Sequence, residues 1–73
     1  MLKVKCYSGY KANERPKSFT INDREFLIKE ILDQWYTPGC LYFKVRDDNN
    51  HTYILKYNQA QDLWALEFFE KGK

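Results

Sequence analysis

The 73-residue chain has little of the chemistry on which small catalytic and metal-binding domains depend. It has one histidine, His51, and two cysteines, Cys6 and Cys40, that lie far apart. A metal site usually includes a short-spaced pair of ligands, and these three residues contain none. General base catalysis needs a partner and a pocket, whereas His51 follows a run of turn-forming residues. We therefore expect no metal, no cofactor, no catalytic residue and no enzymatic activity.

Long apolar segments are also missing. The first five residues alternate apolar side chains with lysine, unlike a signal peptide, and no segment approaches the length of a membrane span. Two distant cysteines are typical of free thiols in a reducing compartment. We therefore expect a cytoplasmic protein that does not bind membranes. Repeats and linkers are absent from the sequence, so residues 1–73 are expected to form a single small globular domain.

The charge balance is nearly neutral. Twelve Lys and Arg residues against ten Asp and Glu residues give a net charge of +2, which is too small for a purely electrostatic nucleic-acid footprint. The aromatic fraction is 18%. Because each aromatic side chain buries a large area, a short chain of this composition can still build a core.

The most informative stretch is residues 41–66, which contains alternating apolar runs. Successive side chains of a strand point to opposite faces, and the apolar positions of the first two runs are all odd-numbered. A three-residue loop at 48–50 places the odd-numbered residues of one strand opposite the odd-numbered residues of the next. Such a loop requires one residue in the left-handed conformation, and Asn50 is the candidate. The predicted pairs are Val45 with Tyr53, Phe43 with Leu55, and Leu41 with Tyr57.

Residues 2–7 and 17–21 also alternate and predict two strands, joined by a polar loop at 8–16. Residues 22–36 fit two structures. Asn22 and Glu25 suit the start of a helix. Alternatively, Asn22 and Asp23 form a two-residue hairpin turn that places Phe19 opposite Phe26. In that case Phe26 and Ile28 face inward, and a bulge near Lys29 and Glu30 turns Ile31, Asp33 and Trp35 inward.

Residues 60–71 have the same ambiguity. A helix is possible, but the alternation of Trp64, Leu66 and Phe68 favours a strand that pairs with the preceding one. That strand pairs Trp64 with Tyr57, Leu66 with Leu55, and Phe68 with Tyr53. The prediction is an all-β fold, a six-strand antiparallel meander that forms a partly closed barrel with Trp35 and Trp64 in its core. The alternative is an α+β fold in which residues 23–36 or 60–71 are helical.

One sheet face combines cations with an aromatic side chain. Burial of the odd-numbered residues exposes Tyr42, Lys44, Arg46 and Lys56 on the opposite face. Aromatic platforms flanked by cations bind single-stranded nucleic acid, although an ordinary solvated sheet face has the same composition. We expect a non-catalytic binding or accessory module of unknown partner. The alternatives are weak single-stranded nucleic-acid binding through these four residues and a small enzyme with a pocket around Asp33.

Several short segments occur in an order that resembles a known family: CYSGY (6–10), Pro16 with Phe19, ILDQW (31–35), YFKV (42–45), YIL (53–55) and DLW (62–64). Together they resemble a family of small uncharacterised bacterial cytoplasmic proteins. Residues 52–69 also resemble the end of a small C-terminal domain of actinobacterial Y-family polymerase-like proteins. The first family usually has glycine where this chain has Asn22, Asp23 and Asn50, so the resemblance implies tight turns and an all-β fold. It implies no activity, partner or site residue.

Overall fold

The computed structural model describes residues 2–6 and 15–72. These residues form a six-strand antiparallel meander in which each strand pairs with the next along the chain. The strands are β1 Leu2–Cys6, β2 Pro16–Ile21, β3 Arg24–Thr37, β4 Cys40–Asp47, β5 Thr52–Asn58 and β6 Leu63–Glu70. The described part of the chain has no helix, so the all-β prediction is confirmed and the helical alternative for 23–36 or 60–71 is wrong. The predictions for Tyr7 and for loop residues 8–14 lie outside the described residues.

The β4–β5 hairpin has the predicted register. Val45 lies opposite Tyr53, Phe43 opposite Leu55 and Leu41 opposite Tyr57. The Asp47 amide donates to the carbonyl oxygen of His51, which leaves residues 48–50 as the connecting loop. Asn50 has a φ of 64°, in the left-handed region that Asn tolerates. The apolar alternation and the turn chemistry therefore specify the same pairing.

The turn between β2 and β3 is also the predicted two-residue turn. Asn22 and Asp23 have φ values of 49° and 68°, and left-handed geometry at both central positions matches the twist of a hairpin. Phe19 consequently lies opposite Phe26, and the two rings stack with centroids 5.3 Å apart.

Strand β3 contains two bulges rather than one. The register with β4 shifts between Ile28 and Glu30, as predicted, and shifts again between Ile31 and Asp33. The second extra residue, Leu32, reverses the alternation that the first one set, because each bulge moves the following side chains to the other face.

Asp33 and Trp35 therefore lie on the outer face, opposite Lys44 and Tyr42 of β4. The prediction that they point inward is wrong. The prediction that Trp35 belongs to the core is also wrong, since its side chain is 36% exposed.

Strand β6 follows the predicted register only at its start. Trp64 pairs with Tyr57 and Leu66 with Leu55, but an irregularity then leaves Glu67 without a direct partner in the ladder. As a result Phe69, not Phe68, lies opposite Tyr53, so the predicted Phe68–Tyr53 pair is wrong.

The core occupies the concave face of the sheet. Its central cluster consists of the buried residues Phe19, Phe43, Val45, Tyr53 and Leu55. Trp64 packs against this cluster as predicted, with its ring 4.9 Å from that of Tyr57. Strands β1 and β6 approach each other but form no ladder, so the sheet is a curled half-barrel with one open side. No helix of the described part is long and apolar enough to cross a membrane.

Candidate functional site

The four candidate nucleic-acid-binding residues share the outer face of the β4–β5 hairpin, as the register requires. Tyr42 lies opposite Lys56, while Lys44 and Arg46 lie opposite Ile54 and Thr52. All four side chains are half-buried, because neighbouring strands contribute side chains to the same face.

Acidic side chains on the flanking strands compensate much of this positive charge. Arg46 Nη1 lies 2.8 Å from Glu30 Oε1, and Lys56 Nζ lies 3.5 Å from Glu67 Oε1. Lys44 lies opposite Asp33 in the β3–β4 ladder. The nearby Tyr42 and then Glu67 raise the pKa of Lys56, so it stays charged. The face is therefore a mosaic of both charges rather than a cationic surface.

Trp35 adds an aromatic surface to this face that the sequence did not predict. Its ring stacks on Tyr42, with centroids 5.4 Å apart and planes 3° from parallel. Trp35 reaches this position because of the second β3 bulge. The stack covers one side of Tyr42 and leaves Trp35 partly exposed.

Asp33 is an exposed residue of the outer face, and its Oδ1 accepts a 2.8 Å hydrogen bond from the amide of Gln34. Its position on the outer face lends no support to a pocket around it. Within the described ranges, no group of three or more His, Cys, Asp or Glu residues is placed to hold a metal ion. Cys40 is a free thiol.

Among the residues that the structure describes, the buried acid is Asp47, at the end of β4. Its carboxylate accepts hydrogen bonds from the amides of Asn49 and His51 and from the hydroxyl of Tyr53. Burial raises the pKa of Asp47, but these hydrogen bonds outweigh that effect and hold the pKa below its ordinary value of 3.8. Burial, and then the bond to Asp47, raise the pKa of Tyr53. Asp47 is thus an anionic anchor for the hairpin loop.

His51 is tied to the end of the chain rather than to a catalytic partner. Its Nδ1 accepts a 2.8 Å hydrogen bond from the amide of Gly72, and its ring packs edge-on against Phe69, with centroids 5.7 Å apart. The contacts between His51 and Asp47 use the backbone of His51, whose amide donates to Asp47 Oδ1 and whose carbonyl oxygen accepts from the Asp47 amide. A Cβ on Gly72 would lie 2.2 Å from the carbonyl oxygen of Asn50, so this close approach requires glycine.

A cleft of about 480 Å³ opens on the concave side, between β6 and the β2–β3 hairpin. Its apolar walls are Ile21, Phe26, Tyr53, Leu66 and Phe69, and its polar rim is Asn22, Arg24, Asn49 and His51. Leu66 and Phe69 belong to β6 and are 41% and 50% exposed, although they face the core side. The half-barrel therefore leaves part of its apolar interior uncovered at this end.

Arg24 is the only cation among the described residues that line this cleft. Its guanidinium lies over the ring of Phe26, 5.5 Å from the centroid. It forms no ion pair with any residue that the structure describes. Its charge is consequently stabilised by an aromatic face and by solvent rather than by a carboxylate.

The two edges of the sheet differ sharply. Strand β1 has only five residues and exposes Lys3 and Lys5. A short length and exposed lysines are two features that protect an edge strand from pairing with another chain. Strand β6 has eight residues and no partner on its far side among the described strands. It exposes Leu63, Leu66, Phe68 and Phe69. Although the irregularity at Glu67 interrupts it, an apolar, unpaired edge of this kind is the type of surface at which another chain can pair.

Comparison with protein-family models, with curated proteins and with solved structures finds no match to this chain.

Proposed function

We propose that this protein is a non-catalytic binding module that captures an extended segment of a partner protein at strand β6. The observation that carries the proposal is the open cleft beside β6, where inward-facing Leu66 and Phe69 stay exposed next to an unpaired strand edge. A strand added to this edge supplies the missing main-chain hydrogen bonds. Its alternate side chains then cover the apolar interior of the half-barrel.

Both sources of binding free energy are present at this edge. Main-chain pairing provides affinity with little sequence preference, while a pocket beside the edge selects particular side chains. The cleft volume of about 480 Å³ falls within the range of ligand pockets in proteins. The matching edge of β1 is shorter and carries Lys3 and Lys5, so we propose that the partner pairs with β6 alone.

A titration of isotope-labelled protein with extended peptides tests this function. We use acetylated hexapeptides of alternating Thr and Val that end in Val, Leu or Phe, and follow amide shifts and hydrogen exchange by NMR. Binding should slow the exchange of β6 amides and shift the residues of the cleft. Leu66→Lys, which places a charge in the cleft wall, should weaken binding at least tenfold. Leu63→Lys, the same change at a somewhat more exposed position of the same strand outside the cleft, should have little effect.

The proposed setting is the cytoplasm. Support comes from Cys40, which is a free thiol in the folded chain, as expected of a protein kept in a reducing compartment.

A second candidate function is weak binding of single-stranded nucleic acid on the outer face. The observation that favours it is the stack of Trp35 on Tyr42 beside Lys56, which joins an aromatic platform to a cation. The acidic partners of Arg46 and Lys56 oppose it. We therefore rank it below strand addition at β6, and an NMR titration with a short oligonucleotide at low salt is its test.

A further inference from the structure

We propose that the segment bound at β6 is the C-terminus of the partner, with its last apolar side chain in the cleft and its terminal carboxylate against Arg24. This inference rests on the proposed function and names the chemistry that the same site selects. The cleft offers two different environments, an apolar wall and a rim of hydrogen-bond donors, and the two parts of a C-terminal residue match them.

The apolar wall of the cleft determines which kind of partner side chain it selects. Phe26, Tyr53 and Phe69 present aromatic rings to the cleft, and Tyr53 and Phe69 pack with centroids 5.2 Å apart. The Tyr53 hydroxyl is already engaged by Asp47 Oδ2 at 2.8 Å, so that hydroxyl adds no free donor to the wall. An aliphatic or aromatic side chain that enters here covers Leu66 and Phe69, which the fold leaves half exposed. A polar side chain gains nothing in its place.

The polar rim of the cleft determines the charge of the ligand group that it selects. Arg24 has no carboxylate partner in the described structure, and none of the described lining residues of the cleft is acidic. Because His51 Nδ1 accepts a bond from Gly72, the ring proton resides on Nε2, which is a further donor. Asn22 and Asn49 add side-chain amides at the same end. Although Glu25, Asp47 and Asp48 line an adjoining pocket with Arg24, the guanidinium has no ion-pair partner in the described structure. On the cleft side its neighbours are hydrogen-bond donors, which suits a carboxylate.

The location of this rim sets the direction of the bound chain. Arg24 follows the β2–β3 turn, and Asn49 lies in the β4–β5 loop, at the end of the molecule where β6 reaches Phe69. A terminal carboxylate at this end makes the bound segment run in the same direction as β6. The turn residue Asn22 and the loop residue Asn49 close this end of the cleft, which suits a chain that stops there.

The test compares each hexapeptide as a free acid with the same peptide as a C-terminal amide. The free acid should bind about tenfold more tightly, since one charge-assisted hydrogen-bond pair is lost in the amide, and the difference should shrink at high salt. Arg24→Gln should remove most of the preference for the acid, measured as the ratio of the acid and amide affinities within that variant. Lys17→Gln, which removes an exposed cation outside the cleft, should preserve the preference.

The outcomes separate the two proposals. If neither form of any hexapeptide binds, both the strand-addition function and this inference are wrong. If acid and amide bind equally at β6, or if Arg24→Gln leaves the difference intact, strand addition stands and the carboxylate site is overturned. Arg24→Gln and Lys17→Gln each alter an exposed side chain. The far-ultraviolet circular dichroism spectrum of each variant should therefore match that of the wild type.

Discussion

At the scale of single residues, Asp47 is the side chain whose loss should matter most outside the apolar core. Its carboxylate accepts three hydrogen bonds at the base of the β4–β5 loop. Asp47→Ala leaves buried donors without an acceptor and should lower the free energy of unfolding by about 3 kcal/mol. Asp48→Ala, at the exposed neighbouring position, should change it by less than about 0.5 kcal/mol. Urea unfolding measures both, and equal values would contradict the role assigned to Asp47.

The same carboxylate predicts a pH dependence. The pKa of Asp47 is lower in the folded chain than its ordinary value of 3.8, so its contribution is complete above that value. The contribution is lost as the pH falls through the lower folded pKa. Wild-type stability should therefore fall more steeply below about pH 4 than that of Asp47→Asn. Thermal melts of both proteins between pH 2 and about pH 7 provide the comparison; parallel curves would show that Asp47 is not the group responsible.

The two tryptophans should behave differently, contrary to what their sequence pattern predicts. Trp64 packs on Tyr57 and Phe43, and Trp64→Ala should cost about 3 kcal/mol. Trp35 lies on the outer face, where only its stack on Tyr42 is lost, so Trp35→Ala should cost about 1 kcal/mol. Chemical unfolding of the two variants is the measurement. A Trp35 variant as unstable as the Trp64 variant would place Trp35 in the core after all.

At the scale of elements, the β4–β5 loop depends on one left-handed residue. Asn50→Gly should be neutral or slightly stabilising, because glycine adopts this conformation without a steric penalty. Asn50→Val should cost about 1–2 kcal/mol. Asn49→Val, next to it but without a positive φ, is the matched control. Equal costs at the two positions in thermal melts would show that backbone strain at residue 50 is not the cause.

The strand registers show how far the sequence determines these elements. The central hairpin was predicted correctly because each register error would have moved Phe43 or Leu55 to the solvent face. The β6 bulge was not, because Phe68 and Phe69 are adjacent and either one satisfies the apolar alternation opposite Tyr53. The second β3 bulge was missed for the same reason, since Ile31 and Leu32 are both apolar.

At the scale of the whole molecule, the shared face of Tyr42, Lys44, Arg46 and Lys56 followed from alternation along one hairpin. The cleft could not be predicted from alternation, because it depends on how far the sheet curls and on which edge stays open. Alternation places Leu66 on the inner face but does not reveal that β1 fails to cover it. The acidic partners of the outer face were likewise hidden, since Glu30 reaches Arg46 only through the register of a bulged strand.

If the outer face binds nucleic acid, those acidic partners determine the strength of binding. Three cations on this face are accompanied by Glu30, Asp33 and Glu67, so counterion release on binding is small. A short single-stranded oligonucleotide should shift Trp35 and Tyr42 in NMR spectra only at low salt. Each stacked base contributes about 1–3 kcal/mol.

Removal of the acids should strengthen this interaction. The double variant Glu30→Gln with Glu67→Gln frees Arg46 and Lys56, and it should raise the affinity for the oligonucleotide about tenfold or more and steepen its salt dependence. Lys44→Gln with Arg46→Gln should abolish the shifts at low salt. The peptide titration at β6 should be unaffected by either pair, because the outer face and the cleft lie on opposite sides of the sheet. Unchanged oligonucleotide affinity in the glutamine variant would overturn the nucleic-acid candidate and leave strand addition as the remaining proposal.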